Sequence, residues 1–167
     1  MNQPVPLPLS VGSAARPISD DDVVSLRRWV WRDGLINRNE AEAILSINVG
    51  VTEPTTAWTD FFVETLAVWL VDQQEPRGYV CDADADWLLR HLARADGRQT
   101  RADLELLVRI EEKALSTPEC LRTFALAAME RAAAIDPAEQ AWLDARVQAD
   151  GKVAPYEQAL LDFLSGR

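Results

Sequence analysis

The sequence predicts an all-α fold of about eight helices, and three observations predict it. The first is a unit written three times: Asp33-Gly34-x5-Glu40, Asp96-Gly97-x5-Asp103 and Asp150-Gly151-x5-Glu157. The second lies on the N-terminal side of each copy. Fourteen residues before each Asp stand Ser19, Asp82 and Asp136, all residue types that cap helix N-termini, and seven before it stand Leu26, Leu89 and Leu143. The third lies on the C-terminal side: eleven and fourteen residues after each Asp come Ile44 and Ile47, Leu107 and Ile110, Leu161 and Leu164, one face of a second helix. Each copy reads as helix, Asp-Gly turn, helix, and repetition at this scale points to a bundle of such units.

Each element carries its own signals. Residues 1–17 carry Pro4, Pro6, Pro8 and Pro17 among small residues, a composition that favours an extended, flexible tail, so the folded domain is expected over 18–167. The first helix opens at Ser19, with Asp22 three residues on as a capping box and Asp20 to Asp22 at the positive end of the helix dipole; it is expected to run through Leu26, Trp29 and Val30 to Asp33. Gly34 permits the left-handed turn that ends it, and Asn37 with Glu40 caps the next helix. The second unit runs from Asp82 to about Glu112, with Thr100 and Asp103 as its internal cap pair. The third runs from Asp136, with Pro137 at the first helical position, to Leu164. Two further helices lie between the units, one from about Thr56 to Gln74 with Trp58, Phe61, Phe62, Leu66 and Trp69 at helical spacing, the other from Pro118 to Ala134.

Composition bounds the function classes. The 167 residues suffice for one stably folded domain. With 27 acidic and 17 basic residues the net charge is −10, which repels nucleic-acid phosphate and anionic lipid and favours cations or basic protein surfaces. Cys81 and Cys120 are too few for a disulfide framework and have no metal-ligand spacing, so a reduced cytoplasmic setting is expected. The N-terminus lacks the basic region and apolar core of a signal peptide, and the longest apolar stretches fall short of the roughly 20 residues that span a bilayer.

At Ala95-Asp96-Gly97 with Asp103, and Ala149-Asp150-Gly151 with Glu157, the chain resembles the tellurite-resistance TerB-like family, best over residues 82–167. The unit at Asp33-Gly34 with Glu40 extends the resemblance over nearly all of the expected domain and departs from a two-unit pattern. The resemblance implies an all-helical fold, association with divalent metal through acidic residues, and a part in stress-response assemblies, without catalysis.

Two readings of the repeated carboxylates stand side by side. In the metal reading, Asp33, Glu40, Asp96, Asp103, Asp150 and Glu157 are candidate ligands for a weakly held divalent cation such as calcium, because an EF-hand loop places an acid at its fifth position, Gly at its sixth and Glu at its twelfth. Its first and third positions here are Trp29 and Trp31, Leu92 and Arg94, and Arg146 and Gln148, so the loop is degenerate at best. In the capping reading the same acids satisfy free amides at helix starts. Glu157 fits this less well, since Ala154 cannot cap with its side chain. Asp82, Asp84 and Asp86 read as a first-turn acid cluster.

Catalysis is not expected. His91 is the single histidine and sits mid-helix, so no nucleophile has an identifiable base, and the seven scattered glycines form no phosphate loop. Trp29 and Trp31, two residues apart, cannot both face one side of a helix, which makes one of them a candidate anchor for a partner. The sequence thus points to a non-catalytic cytoplasmic protein-interaction module, with a calcium sensor as the alternative and a carboxylate-dependent enzyme third.

Overall fold

The structure, a computed structural model, describes residues 18–51, 53–94, 97–135 and 137–148. Among them the fold is all-α: α1 (Asp20–Val30), α2 (Arg38–Gly50), α3 (Thr56–Ala67), α4 (Asp82–Leu92), α5 (Arg101–Lys113), α6 (Glu119–Ile135) and α7 (Pro137–Gln148). A π-helical segment, Val68–Gln73, continues α3. The sole extended pairing among the described residues is an isolated parallel bridge between Tyr79 and Ser116. The expected tail over 1–17, the Asp136 cap and the helix expected before Leu164 lie outside the described residues. No described helix is long and apolar enough to cross a membrane.

Local chemistry sets the helix starts. Ser19 Oγ accepts from the Asp22 amide at 3.2 Å while Asp22 Oδ2 accepts from the Ser19 amide at 2.9 Å. The same reciprocal box joins Asn37 to Glu40 and Thr100 to Asp103, each satisfying two amides that a helix start leaves free. At α4 the cap is Cys81 rather than the expected Asp82: its Sγ accepts weakly from the Asp84 amide at 3.5 Å, and Asp82 becomes the first helical residue, where its charge faces the dipole. Helix α1 ends at Val30, short of the expected Asp33, because Trp31 already leaves helical geometry. Gly34 and Gly97 then hold the left-handed backbone their turns require, with φ of +78° and +70°.

The expected single helix over 56–74 is α-helical only to Ala67. The wider π turn keeps Trp69, Leu70 and Val71, three consecutive residues, all buried. It also delivers Gln73 to the first Asp-Gly turn, where its amide donates to the Ile36 carbonyl at 2.8 Å and accepts from the Ile36 N–H at 3.2 Å. Helix α3 is the centre of the bundle, packed by α1, α2 and most extensively α5. It buries Trp58, Phe61 and Phe62 completely, with both Phe rings 5.8 Å from the Trp58 ring. Each such side chain contributes roughly 1.5–3 kcal/mol relative to exposure.

One polar network crosses this core. Trp58 Nε1 donates to Asn48 Oδ1 at 3.1 Å, and Asn48 Nδ2 donates to Asp103 Oδ1 at 2.6 Å. Asp103 Oδ2 accepts from Arg94 Nε at 3.2 Å and from the Thr100 amide at 3.0 Å. The two terminal nitrogens of Arg94 donate to the Asn48 and Val49 carbonyls at 3.1 and 3.0 Å, capping the free C-terminal end of α2. Trp58 near Asp103 at one end, and Lys113 bridged to Asp72 at 2.9 Å at the other, make α3 with its π extension run parallel to α5.

Two substitutions test these constraints. Arg94→Ala strands a carboxylate whose side chain is fully buried, and should cost about 3–5 kcal/mol, whereas Arg27→Ala, at the exposed Arg27–Glu64 pair, should cost about 0–1 kcal/mol; chemical denaturation of both variants compares them. Gly97→Val should lose about 1–3 kcal/mol through its left-handed backbone, while Gly50→Ala, at the open end of α2, should be neutral or stabilising by up to about 1 kcal/mol.

Candidate functional site

The first Asp-Gly turn is built from α1, the π segment and α2. Asp33 is exposed, and its Oδ1 accepts from the Leu35 amide at 3.1 Å, tightening the turn that Gly34 makes possible. Glu40 is only 3 % exposed and spends one oxygen on the Asn37 amide at 3.2 Å. Burial holds its carboxyl above the usual range, the Asn37 N–H offsets this in part, and the nearby Asp33 charge adds to the rise. The Arg32 charge opposes that rise.

The second turn differs in electrostatics. Asp103 has no exposure, and Arg94, Asn48 and the Thr100 amide all donate to it. Its positive complement is a guanidinium already in place. Asp96, Asp150 and Glu157 lie outside the described residues, as does Gly151. Among the described residues no three His, Cys, Asp or Glu side chains come together as a metal site.

Trp29 and Trp31 are both half-buried against the core, and the Trp31 ring nitrogen is enclosed with no hydrogen-bond partner among the described residues. The larger aromatic cluster lies elsewhere. Arg38 stands 5.8 Å from the Trp69 ring and 5.1 Å from the Trp87 ring, Trp87 Nε1 donates to Glu42 at 3.1 Å, and the His91 ring lies 4.7 Å from that of Trp87. His91 Nδ1 is 2.8 Å from the Trp87 carbonyl, which can only accept. This cluster fastens α2 to α4 and the π segment.

A groove of about 850 Å³ lies between α3 and α5. Val63 and Ala67 of α3 and Val68 of the π segment line it, beside the acids Asp60 and Glu64. The α5 wall carries Arg101, Glu105, Arg109 and Lys113, one turn apart. Trp142 of α7 closes round the Arg101 end: the guanidinium lies 4.5 Å from its ring centroid, and its Nε1 donates to Glu105 at 3.0 Å. Lys113 pairs with Asp72, and Glu64 pairs with Arg27 at 2.6 Å. Arg109 and Asp60 are exposed and hold no such partner among the described residues. Sequence reasoning missed the groove; its signal was the four-residue charge spacing along α5 facing a polar stripe on an otherwise buried helix.

A second titratable site lies in the loop between α5 and α6. Glu111 is half-buried, and its Oε2 accepts from Thr117 Oγ1 at 2.8 Å while the enclosed Oε1 has no hydrogen-bond partner among the described residues. Burial raises its carboxyl above the usual range, with Thr117 and then Arg122 opposing. A raised carboxylate in the folded state means that the fold binds a proton more tightly than the unfolded chain. Its stabilising contribution is therefore complete in acid and is lost as pH rises through the raised value. Glu111→Gln should raise the melting temperature at pH 7, and that advantage should shrink as pH falls to about 4, where the native carboxyl is protonated. Thermal melts of both proteins from pH 4 to 8 check this.

Comparison with protein-family models, curated proteins and solved structures found no match.

Proposed function

We propose that this chain is a non-catalytic module that binds another protein along the α3–α5 groove. In its repeated helix, Asp-Gly turn, helix units it resembles TerB-like stress-response proteins, and the free, exposed thiols of Cys81 and Cys120 fit a reducing cytoplasm. The groove is the observation that carries the reading. Small-molecule sites gather a few polar groups on one point. Here the charges are strung at one-turn intervals along two helices, an arrangement suited to an elongated polypeptide. The single histidine is tied to its own helix and is not among the groove-lining residues, so the groove brings no base to a nucleophile.

A weakly held divalent cation would modulate the module at its first turn. The observation favouring this is that the Asp33 charge lies near the buried Glu40 carboxyl and disfavours its ionisation, which a cation at the turn would offset. At Asp103 the charge of Arg94 already does so.

A photo-crosslinking residue at position 60, in extract of the source cell, should capture a protein that the same residue at position 90, exposed on α4, does not. Equal capture at both positions would remove the groove as the binding face. For the cation, millimolar calcium should raise the melting temperature of the native chain and leave Asp33→Asn unmoved, because a ligand of the folded state stabilises by mass action. An unchanged native melting curve excludes the ion.

A further inference from the structure

The groove has opposite charge on its two sides. On α3, Asp60 and Glu64 face it one turn apart; on α5, Arg101, Arg109 and Lys113 outnumber Glu105. In a chain of net charge −10, such a run of cations on one wall stands against the general field. Glu64, Lys113 and the Arg101 end are engaged within the molecule, which leaves Arg109 and Asp60 as exposed charges on opposite walls without an ion-pair partner among the described residues. Between them, the half-buried Val68 and the edges of the largely buried Val63 and Ala67 form an apolar floor.

The backbone decides the form of the occupant. Both walls are helices, whose N–H and C=O groups are consumed internally, so the groove offers side chains and no free backbone edge. An extended strand would cover its own amides there without partners, whereas a helix satisfies its own. From Arg101 to Lys113 the α5 wall measures about 18 Å at roughly 1.5 Å per residue, the length of about three helical turns.

Resting on the groove as a protein site, we infer that its occupant is an amphipathic helix of another protein. An apolar stripe seats it on Val63, Ala67 and Val68, acidic residues on one flank meet Arg109 and the α5 wall, and basic residues on the other flank meet Asp60. The charged flanks select the partner, because pairs of opposite sign form on both sides only for a helix with that division, while like charges are repelled.

The test uses the full chain and four fluorescent probes, each binding curve read by anisotropy at low and high salt. One probe is a stapled helix of about fourteen residues with a leucine stripe, a glutamate flank and a lysine flank; the second has glutamine on both flanks; the third has the charged composition with prolines that prevent a helix; the fourth is labelled full chain. The charged helix should bind at least tenfold more tightly than the neutral one at low salt, and the gap should close at high salt. Arg109→Glu, an exposed change whose melting curve checks the fold, should remove that gap. Equal binding of charged and neutral helices overturns the partner chemistry while leaving the groove as a protein site. Equal binding of the proline peptide, or self-association of the chain through position 60, overturns the heterologous helix. If no probe binds while position 60 still captures a protein, the helical occupant is wrong; if that capture also fails, the groove itself is not the site.

Discussion

Asp103 carries its carboxylate into a place with no solvent exposure, and the geometry of half the bundle answers to it. An isolated buried carboxylate costs several kcal/mol, so its oxygens must find donors from whatever elements surround it. They find the Arg94 guanidinium, the Asn48 amide and the Thr100 N–H. Those donors come from the α4–α5 loop, α2 and the start of α5 itself, and Asn48 in turn receives the indole of Trp58 from α3. One carboxylate thereby fixes four segments against each other with directional bonds, where apolar packing alone would allow sliding.

The groove is a consequence of that fixation. With the first turns of α3 and α5 held together through Trp58, Asn48 and Asp103, and their far ends spanned by Lys113 and Asp72, the two helices lie side by side in one direction. Their inner faces interlock in the core and their outer faces diverge, leaving the polar stripe of one opposite the charged stripe of the other. For the binding proposed above, walls held at both ends would lower the ordering cost, since little of the groove would have to be immobilised.

Much of the framework was legible in the sequence because the interactions that write it are local. Ser19 and Asp22, Asn37 and Glu40, and Thr100 and Asp103 are three residues apart, and a side chain that reaches three residues along leaves its signature in the chain. The same holds for Gly34 and Gly97, whose left-handed backbone is set by the turn each one makes. What could not be read depends on distant partners. Asp103 looked like a turn ligand or a cap; its bonds to Asn48, 55 residues away, and to Arg94 appear only once the helices meet. Cys81 displaced Asp82 as a cap because a sulfur acceptor, weak as it is, occupied the right place. The groove joins helices some 45 residues apart in the chain, beyond the reach of periodicity.

The π segment has a consequence for how the chain can change. A π turn is in effect an α-helix holding one residue more than its hydrogen bonding needs. Because the wider turn absorbs that extra residue, the chain beyond it keeps nearly the phase of an α-helix one residue shorter. Gln73 reaches Ile36 and Asp72 reaches Lys113 on that phase. In a regular α-helix the loss of one residue would swing everything beyond it by about 100°. Here the same loss relaxes the turn to ordinary pitch, so these six residues are where this helix can change its length and still aim its far end.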